Sequence, residues 1–303
     1  MNHRIIARLD IKGPNLVKGI RLEGLRALGP VEEFARHYYE NGADELIYAD
    51  VVASLYGRNS LQEIISRTAR QIHIPLTVGG GIRSVADINT VLRAGADKVS
   101  LNTAALARPE IIREAARIFG ASTVVVTIEV IRQADGRYLA YTDNGREHTG
   151  VEAVAWAQKV EELGAGEIVL TSVDRDGTGA GFDLAILQKV TAAVSIPVIA
   201  HGGAGRAEHL PAAITEGGAS AIAVASMIHY DAITCDELRA RLAGATGEGN
   251  FEFMKSGRGF SKVTPLGLPG VKAVLARAGV PCRPAPPGHP EAGEPARLPE
   301  PHG

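Results

Sequence analysis

Eight short runs rich in β-branched and aliphatic residues, at 4–9, 45–50, 75–78, 98–101, 122–128, 167–171, 197–200 and 221–225, recur along the chain at helix-sized intervals. Helical patterns fill several of the gaps, at 30–41, 60–71, 85–94 and 150–163, the last with Val154, Ala157 and Val160 on one face. Strands that must each be reached across a helix are parallel and joined by right-handed crossovers. Eight of them fit a closed barrel better than an open sheet, so the expected fold is an α/β (βα)8 TIM barrel.

The chain also echoes itself. Ile74-Pro75-Leu76-Thr77-Val78-Gly79-Gly80-Gly81 parallels Ile196-Pro197-Val198-Ile199-Ala200-His201-Gly202-Gly203 at an offset of 122 residues. Gly42-Ala43-Asp44-Glu45 parallels Gly164-Ala165-Gly166-Glu167 at the same offset, and 94–103 parallels 217–226 at 123. A two-fold internal repeat of four-stranded halves follows, with matched sites on matched strands. Recurrence of common helix-to-strand turn chemistry is the plainer alternative.

The 303 residues suffice for a sizeable core. A net charge of -2, from 32 basic and 34 acidic residues, recommends neither a nucleic-acid nor an anionic-membrane partner. No window stays apolar for the roughly 18 residues a membrane span needs. Cys235 and Cys282 are too few for a disulfide scaffold, and residues 1–10 lack a signal-peptide pattern, so a cytoplasmic protein is expected. His201, His209 and His229 have no metal-ligand spacing, and no cofactor is indicated.

Glycine pairs at strand ends suggest two phosphate sites. Gly80-Gly81 with Asn102-Thr103 form one, and Gly202-Gly203 with Ala225-Ser226 form its counterpart, because glycine lets backbone N–H groups approach anionic oxygens. Tight strand-to-helix turns are the alternative use of the same residues. Carboxylates also gather at strand ends: Asp10 closes the first strand, Glu129 the fifth, and Asp50, Asp174 and Asp176 close others. Opposed Asp10 and Glu129 suit acid and base roles on a substrate held between the phosphate sites, although such residues also serve as caps and turn formers. Lys18, in the first loop, is a candidate partner for a phosphate or an anionic transition state, or else a surface lysine.

Taken together, the segments 74–84, 94–100, 170–178 and 195–205 resemble the cyclase subunit of imidazole glycerol phosphate synthase, a (βα)8 barrel of histidine biosynthesis, and the likeness runs from about Arg4 to Tyr230. The resemblance implies an ammonia-dependent cyclase and lyase. A glutaminase subunit releases ammonia, which crosses the barrel and reacts with a bisphosphorylated ribulosyl-formimino aminoimidazole carboxamide ribotide. The products are imidazole glycerol phosphate and aminoimidazole carboxamide ribotide. By the same resemblance Asp10 is a general acid or base, Lys18 is the closing-loop lysine, and Gly80, Gly81, Asn102, Thr103, Thr171, Asp176, Gly177, Gly202, Gly203, Ala225 and Ser226 bind substrate. Arg4, Glu45, Lys98 and Glu167 match an ammonia gate at the opposite barrel end, and Asp97 matches a partner-facing aspartate.

Two departures lie in the centre. Glu129 stands where the family has a second catalytic aspartate, and Arg8 replaces a cysteine. Strand alternation aims Arg8 into the barrel with Asp10, where it requires a carboxylate such as Glu129 or Asp50. His201, before the second glycine pair, either touches the substrate or packs against the turn; with Arg8 it marks a candidate for altered specificity. The first loop carries extra charge in Arg21 and Arg26, and Tyr48 and Tyr56 are candidate pocket residues. The expected organisation is a barrel over 1–243, an extension over 244–280 docked on it through residues such as Phe251 to Met254, and a disordered tail over 281–303, where eight residues are proline. The cyclase reading is preferred. Its alternatives are a paralogue delivering ammonia to another phosphorylated or nucleotide-linked substrate, and a non-catalytic scaffold that activates a glutaminase.

Overall fold

The protein is described by a computed structural model covering residues 2–51, 58–244 and 262–287. The first strand, β1 (Arg4–Lys12), is followed by an antiparallel hairpin of β2 (Asn15–Ile20) and β3 (Glu23–Pro30), then α1 (Val31–Glu40). Next come β4 (Glu45–Asp50), α2 (Arg58–Ala69), β5 (Leu76–Gly79), α3 (Val85–Ala94) and β6 (Lys98–Leu101). After α4 (Thr103–Ala107) and α5 (Glu110–Phe119), β7 (Val124–Arg132) leads into a second hairpin, β8 (Tyr138–Thr142) and β9 (Glu147–Glu152). The rest comprises α6 (Ala153–Glu162), β10 (Glu167–Ser172), α7 (Leu184–Ala193), β11 (Val198–His201), α8 (His209–Thr215), β12 (Ala221–Val224), α9 (Ser226–Ala232), α10 (Asp236–Gly244) and α11 (Leu268–Arg277).

Eight of the strands, β1, β4, β5, β6, β7, β10, β11 and β12, pair parallel with their neighbours. The ring closes where β12 meets β1, with Arg4 opposite Ala221. This is the (βα)8 barrel expected from the sequence, with all eight strands where the runs placed them, give or take a few residues at the ends. The period-two alternation of β1 explains why: Ile5, Ala7, Leu9 and Ile11 join the large core beneath the helices, while Ile6 belongs to a separate apolar cluster inside the barrel. Local signals stop the helices where they should. Ser84 caps α3 by accepting from the Asp87 amide, and Gly95 ends it with a φ of 119°, open to glycine without strain.

Neither hairpin was anticipated. The helix expected from residue 150 begins only at Ala153, because Gly150, with a φ of 76°, lies in β9 and the Glu152 side chain caps the helix by accepting from the Ala155 amide. Each hairpin extends its barrel strand past the rim, β2 pairing with β1 and β8 with β7.

The circle of helices is completed by two elements. α10 packs on α1, with the Arg241 guanidinium 3.2 Å from Glu40, whereas α11 packs beside α8. A helix lying beyond residue 243 thus helps to close the barrel's outer layer. The chain continues to pack past 281: the His3 amide donates to the Pro281 carbonyl, Cys282 pairs with His3 as an isolated bridge, and Arg283 lies 2.8 Å from Asp44. Phe251 to Met254, Tyr56 and residues 288–303 lie outside the described residues.

Candidate active site

Along β1 the inward positions stack as Arg4, Ile6, Arg8 and Asp10, and along β10 as Glu167, Val169 and Thr171. The barrel interior is therefore tiered. At the N-terminal end of the strands Arg4 lies 2.6 Å from Glu45 and 2.9 Å from Glu167, and Lys98 lies 3.2 Å from each of the same carboxylates. Charges alternate around this closed ring, and every ion has two opposite neighbours, the condition under which such a ring is tolerable in a largely dry setting. Above it lies an apolar tier of Ile6, Ile47, Val125, Val169, Ile199, Ala221 and Ala223. Asp97 is exposed at the ring's end, and one of its carboxylate oxygens accepts from the Leu76 amide.

A polar tier at the C-terminal strand ends forms the mouth. The Arg8 guanidinium donates through Nε to Asp10 Oδ1 at 3.1 Å and through Nη1 to Thr171 and His201. Its ion-pair partner is thus Asp10, two residues along the same strand, rather than the Glu129 or Asp50 expected. Burial, then the nearby Arg8 cation, holds His201 well below the ordinary imidazole range. The neutral ring accepts from Arg8 on Nδ1, which puts its proton on Nε2, the atom 3.9 Å from Asp176. Lys18 reaches in from β2 to lie 3.2 Å from Asp176 Oδ2, with both side chains buried.

Glu129 is the outlying carboxylate. It is 4% exposed, and its Oε2 accepts from the Gly145 amide at 2.8 Å. Burial pushes its pKa up to about 7, against the opposing influence of Arg8, the Gly145 N–H and Asn102, while the Asp10 charge adds to the rise.

The two glycine sites share one backbone design. A side chain on Gly80 would meet the Asp50 carbonyl at 2.2 Å, and one on Gly202 would meet the Ser172 carbonyl at 2.6 Å. Asn102 and Ala225, which precede α4 and α9, adopt nearly identical dihedrals, φ and ψ of -134° and -87° against -133° and -80°. The internal repeat is thus preserved at the level of individual peptide planes.

Their surroundings differ. The first site opens into a cavity of about 420 Å³ lined by Gly80, Gly81, Asn102, Thr103, Arg8 and Glu129 among others, a size suited to a small ligand. Gly202, Gly203, Ala225, Ser226 and Asp176 do not line it. Over the second site the β2–β3 hairpin presses on the Asp176-Gly177 turn: the Arg21 amide donates to the Asp176 carbonyl, and a side chain on Gly177 would lie 2.7 Å from the Gly19 carbonyl. Nearby, the Thr264 amide donates to the Gly205 carbonyl.

Sequence reasoning overlooked Asp143, Asn144 and Gly145, the turn between β8 and β9. The signal was present, since Asp-Asn-Gly between two β-rich runs is a hairpin signature. Tyr48 and Arg83 also line the cavity. Among the described residues no helix is long and apolar enough to cross a membrane.

The model of a family described as "Histidine biosynthesis protein" matches residues 4–234. The imidazole glycerol phosphate synthase subunit HisF of Legionella pneumophila is 59% identical over 207 residues, covering 68% of this chain and 98% of the relative. The subunits of the same name from Myxococcus xanthus and Thermobifida fusca are each 48% identical, over 242 and 244 residues, covering 80% and 79% of this chain and 95% of each relative. Matches that span these relatives almost end to end, on a barrel whose mouth and charged ring lie at opposite ends of one interior, show that the chain belongs to the histidine biosynthesis family of HisF cyclase subunits.

Proposed function

We propose that the protein is an ammonia-dependent cyclase and lyase that converts the ribulosyl-formimino aminoimidazole carboxamide ribotide to imidazole glycerol phosphate and aminoimidazole carboxamide ribotide. The observation that carries this reading is the cavity that brings Glu129 and Arg8 together with the first of two matched glycine turns, Asp10 being held by Arg8 on the same strand. A substrate with a phosphate at each end would place its reacting centre between the two turns. Glu129, with a pKa near neutrality, suits proton donation and return, the property a general acid–base group needs. Asp10, oriented by the Arg8 guanidinium, takes the opposing role. Lys18 and Asp176 tie the β2–β3 hairpin to the turn beside the second glycine site.

A glutaminase subunit would supply ammonia at the charged ring, with Asp97 on the docking face. Neutral ammonia crosses the apolar tier around Ile6 and Val169 at far lower cost than ammonium would. The two free cysteines, Cys235 and Cys282, accord with a cytoplasmic setting. One observation favours a second reading, in which the same ammonia serves another phosphorylated or nucleotide-linked substrate: Arg8 lines the cavity and engages Asp10. The deciding experiment measures imidazole glycerol phosphate formed from the ribulosyl-formimino substrate with saturating ammonium, for the wild type and for Asp10→Asn and Glu129→Gln. Turnover lost in both variants supports the cyclase. Absence of turnover in a folded wild type that binds inorganic phosphate favours the second reading.

A further inference from the structure

We propose that the turn Asp143-Asn144-Gly145 is a positioning device for Glu129, and that Asn144 is the residue that locks it. The inference deepens the acid–base reading and rests on it for its catalytic meaning.

The extra methylene of Glu129, relative to an aspartate, carries its carboxylate away from the strand end. Something must hold it there, or the added rotamers would blur the placement of the proton. The Gly145 amide does so, donating to Oε2 at 2.8 Å. That amide points inward because three consecutive residues, Asp143, Asn144 and Gly145, adopt left-handed φ values of 52°, 59° and 76°. Such a run is unfavourable for ordinary side chains and persists only where its surroundings fix it.

Three contacts fix it. Asn144 donates from Nδ2 to the carbonyl of Val51, the residue after β4, at 3.2 Å, and both residues line the cavity. The Asp143 amide donates to Thr103 Oγ1 at 3.4 Å, beside the first glycine site. Gly145 abuts Val173, whose Cγ1 would be 2.8 Å from any side chain placed there. The turn is therefore pinned to the segments that follow β4, β6 and β10, and its Gly145 amide meets Glu129. Asparagine tolerates the left-handed region better than most residues, so one side chain supplies both the backbone conformation and the latch. Asp143 and Asn144 also line the cavity, so a ligand entering it touches the turn that sets the carboxylate.

The test compares Asn144→Gly, which keeps the left-handed conformation and loses the latch, with Asn144→Ala, which compromises both. The Glu129 carboxyl is titrated directly by carbon NMR, using Glu129→Gln to assign the signal and circular dichroism to establish folding. Loosening the turn withdraws the Gly145 donor from the charged carboxylate, so the expected midpoint rises in both variants by about half to one pH unit, roughly a three- to tenfold gain in proton affinity. Where turnover is measurable, the midpoint of the kcat profile moves with it. An unchanged midpoint in both folded variants overturns the proposal. Because the titration needs no turnover, a shifted midpoint in a chain without cyclase activity retires the functional reading alone, and turnover with no shift retires the positioning role alone.

Discussion

Glu129 ties the stability of this barrel to pH. Its pKa is raised from the ordinary 4.5 to about 7, so in the unfolded chain it ionises near 4.5 while in the folded barrel it keeps its proton until about 7. Between those values the folded state binds one more proton, and stability falls as pH rises. The interval corresponds to about 3 kcal/mol, fully present below 4.5 and lost once pH passes the folded pKa. Glu129→Gln removes the titration, and the amide oxygen of glutamine still accepts from the Gly145 amide. The variant should therefore match the wild type near pH 5 or fall slightly below it, and should exceed it by about 2–3 kcal/mol at pH 8. Urea unfolding of both proteins at half-unit steps from pH 5 to pH 8 checks this. Stability curves that run parallel across the range would refute the reasoning, showing that Glu129 ionises in the folded barrel as it does in water.

Other perturbations probe the rest of the interior. Arg8→Met strands the buried Asp10 carboxylate and should cost about 3–5 kcal/mol in urea unfolding, with Arg8→Met/Asp10→Asn recovering at least half of the loss. Lys18→Met leaves Asp176 without its cation, so the Arg21 amide that donates to the Asp176 carbonyl should exchange with deuterium roughly tenfold faster or more. Asp44→Ala removes the partner of buried Lys272 and of Arg283. It should lower stability by about 3 kcal/mol, a Tm drop of roughly 5 °C, and quicken tryptic cleavage at Arg277.

The strands were legible because each satisfies two constraints at once, β-branched residues within and turn residues at the ends. Glu45–Asp50 and Lys98–Leu101 fall where the pattern put them, to the residue. The hairpin of β2 and β3 was hidden because Arg21 at its tip and Arg26 within β3 make the local pattern look like a solvated loop. Alternation correctly aimed Arg8 and Asp10 into the barrel, yet the choice of partner depended on reach: inward neighbours on a strand lie roughly 7 Å apart, a gap the guanidinium arm spans. Lys18 and Asp176 are 158 residues apart, and no local pattern announces their meeting. The glycine pairs stood out because the chain repeats its own register, whereas the charged ring was expected only from the family resemblance.

The late position of α11 has a consequence for how the protein is made. Ribosomal synthesis delivers β1 first, but the His3 amide finds its acceptor at Pro281, and Asp44 finds its cations at Lys272 and Arg283. Until those residues emerge, the seam between α8 and α1 lacks one of its staves, and the apolar residues that α11 later covers face solvent or a chaperone. Closure then follows the synthesis of all eight strands rather than accreting with them, a high-contact-order step expected to be slow. A chain released at residue 244 would hold eight strands and still lack a sealed wall.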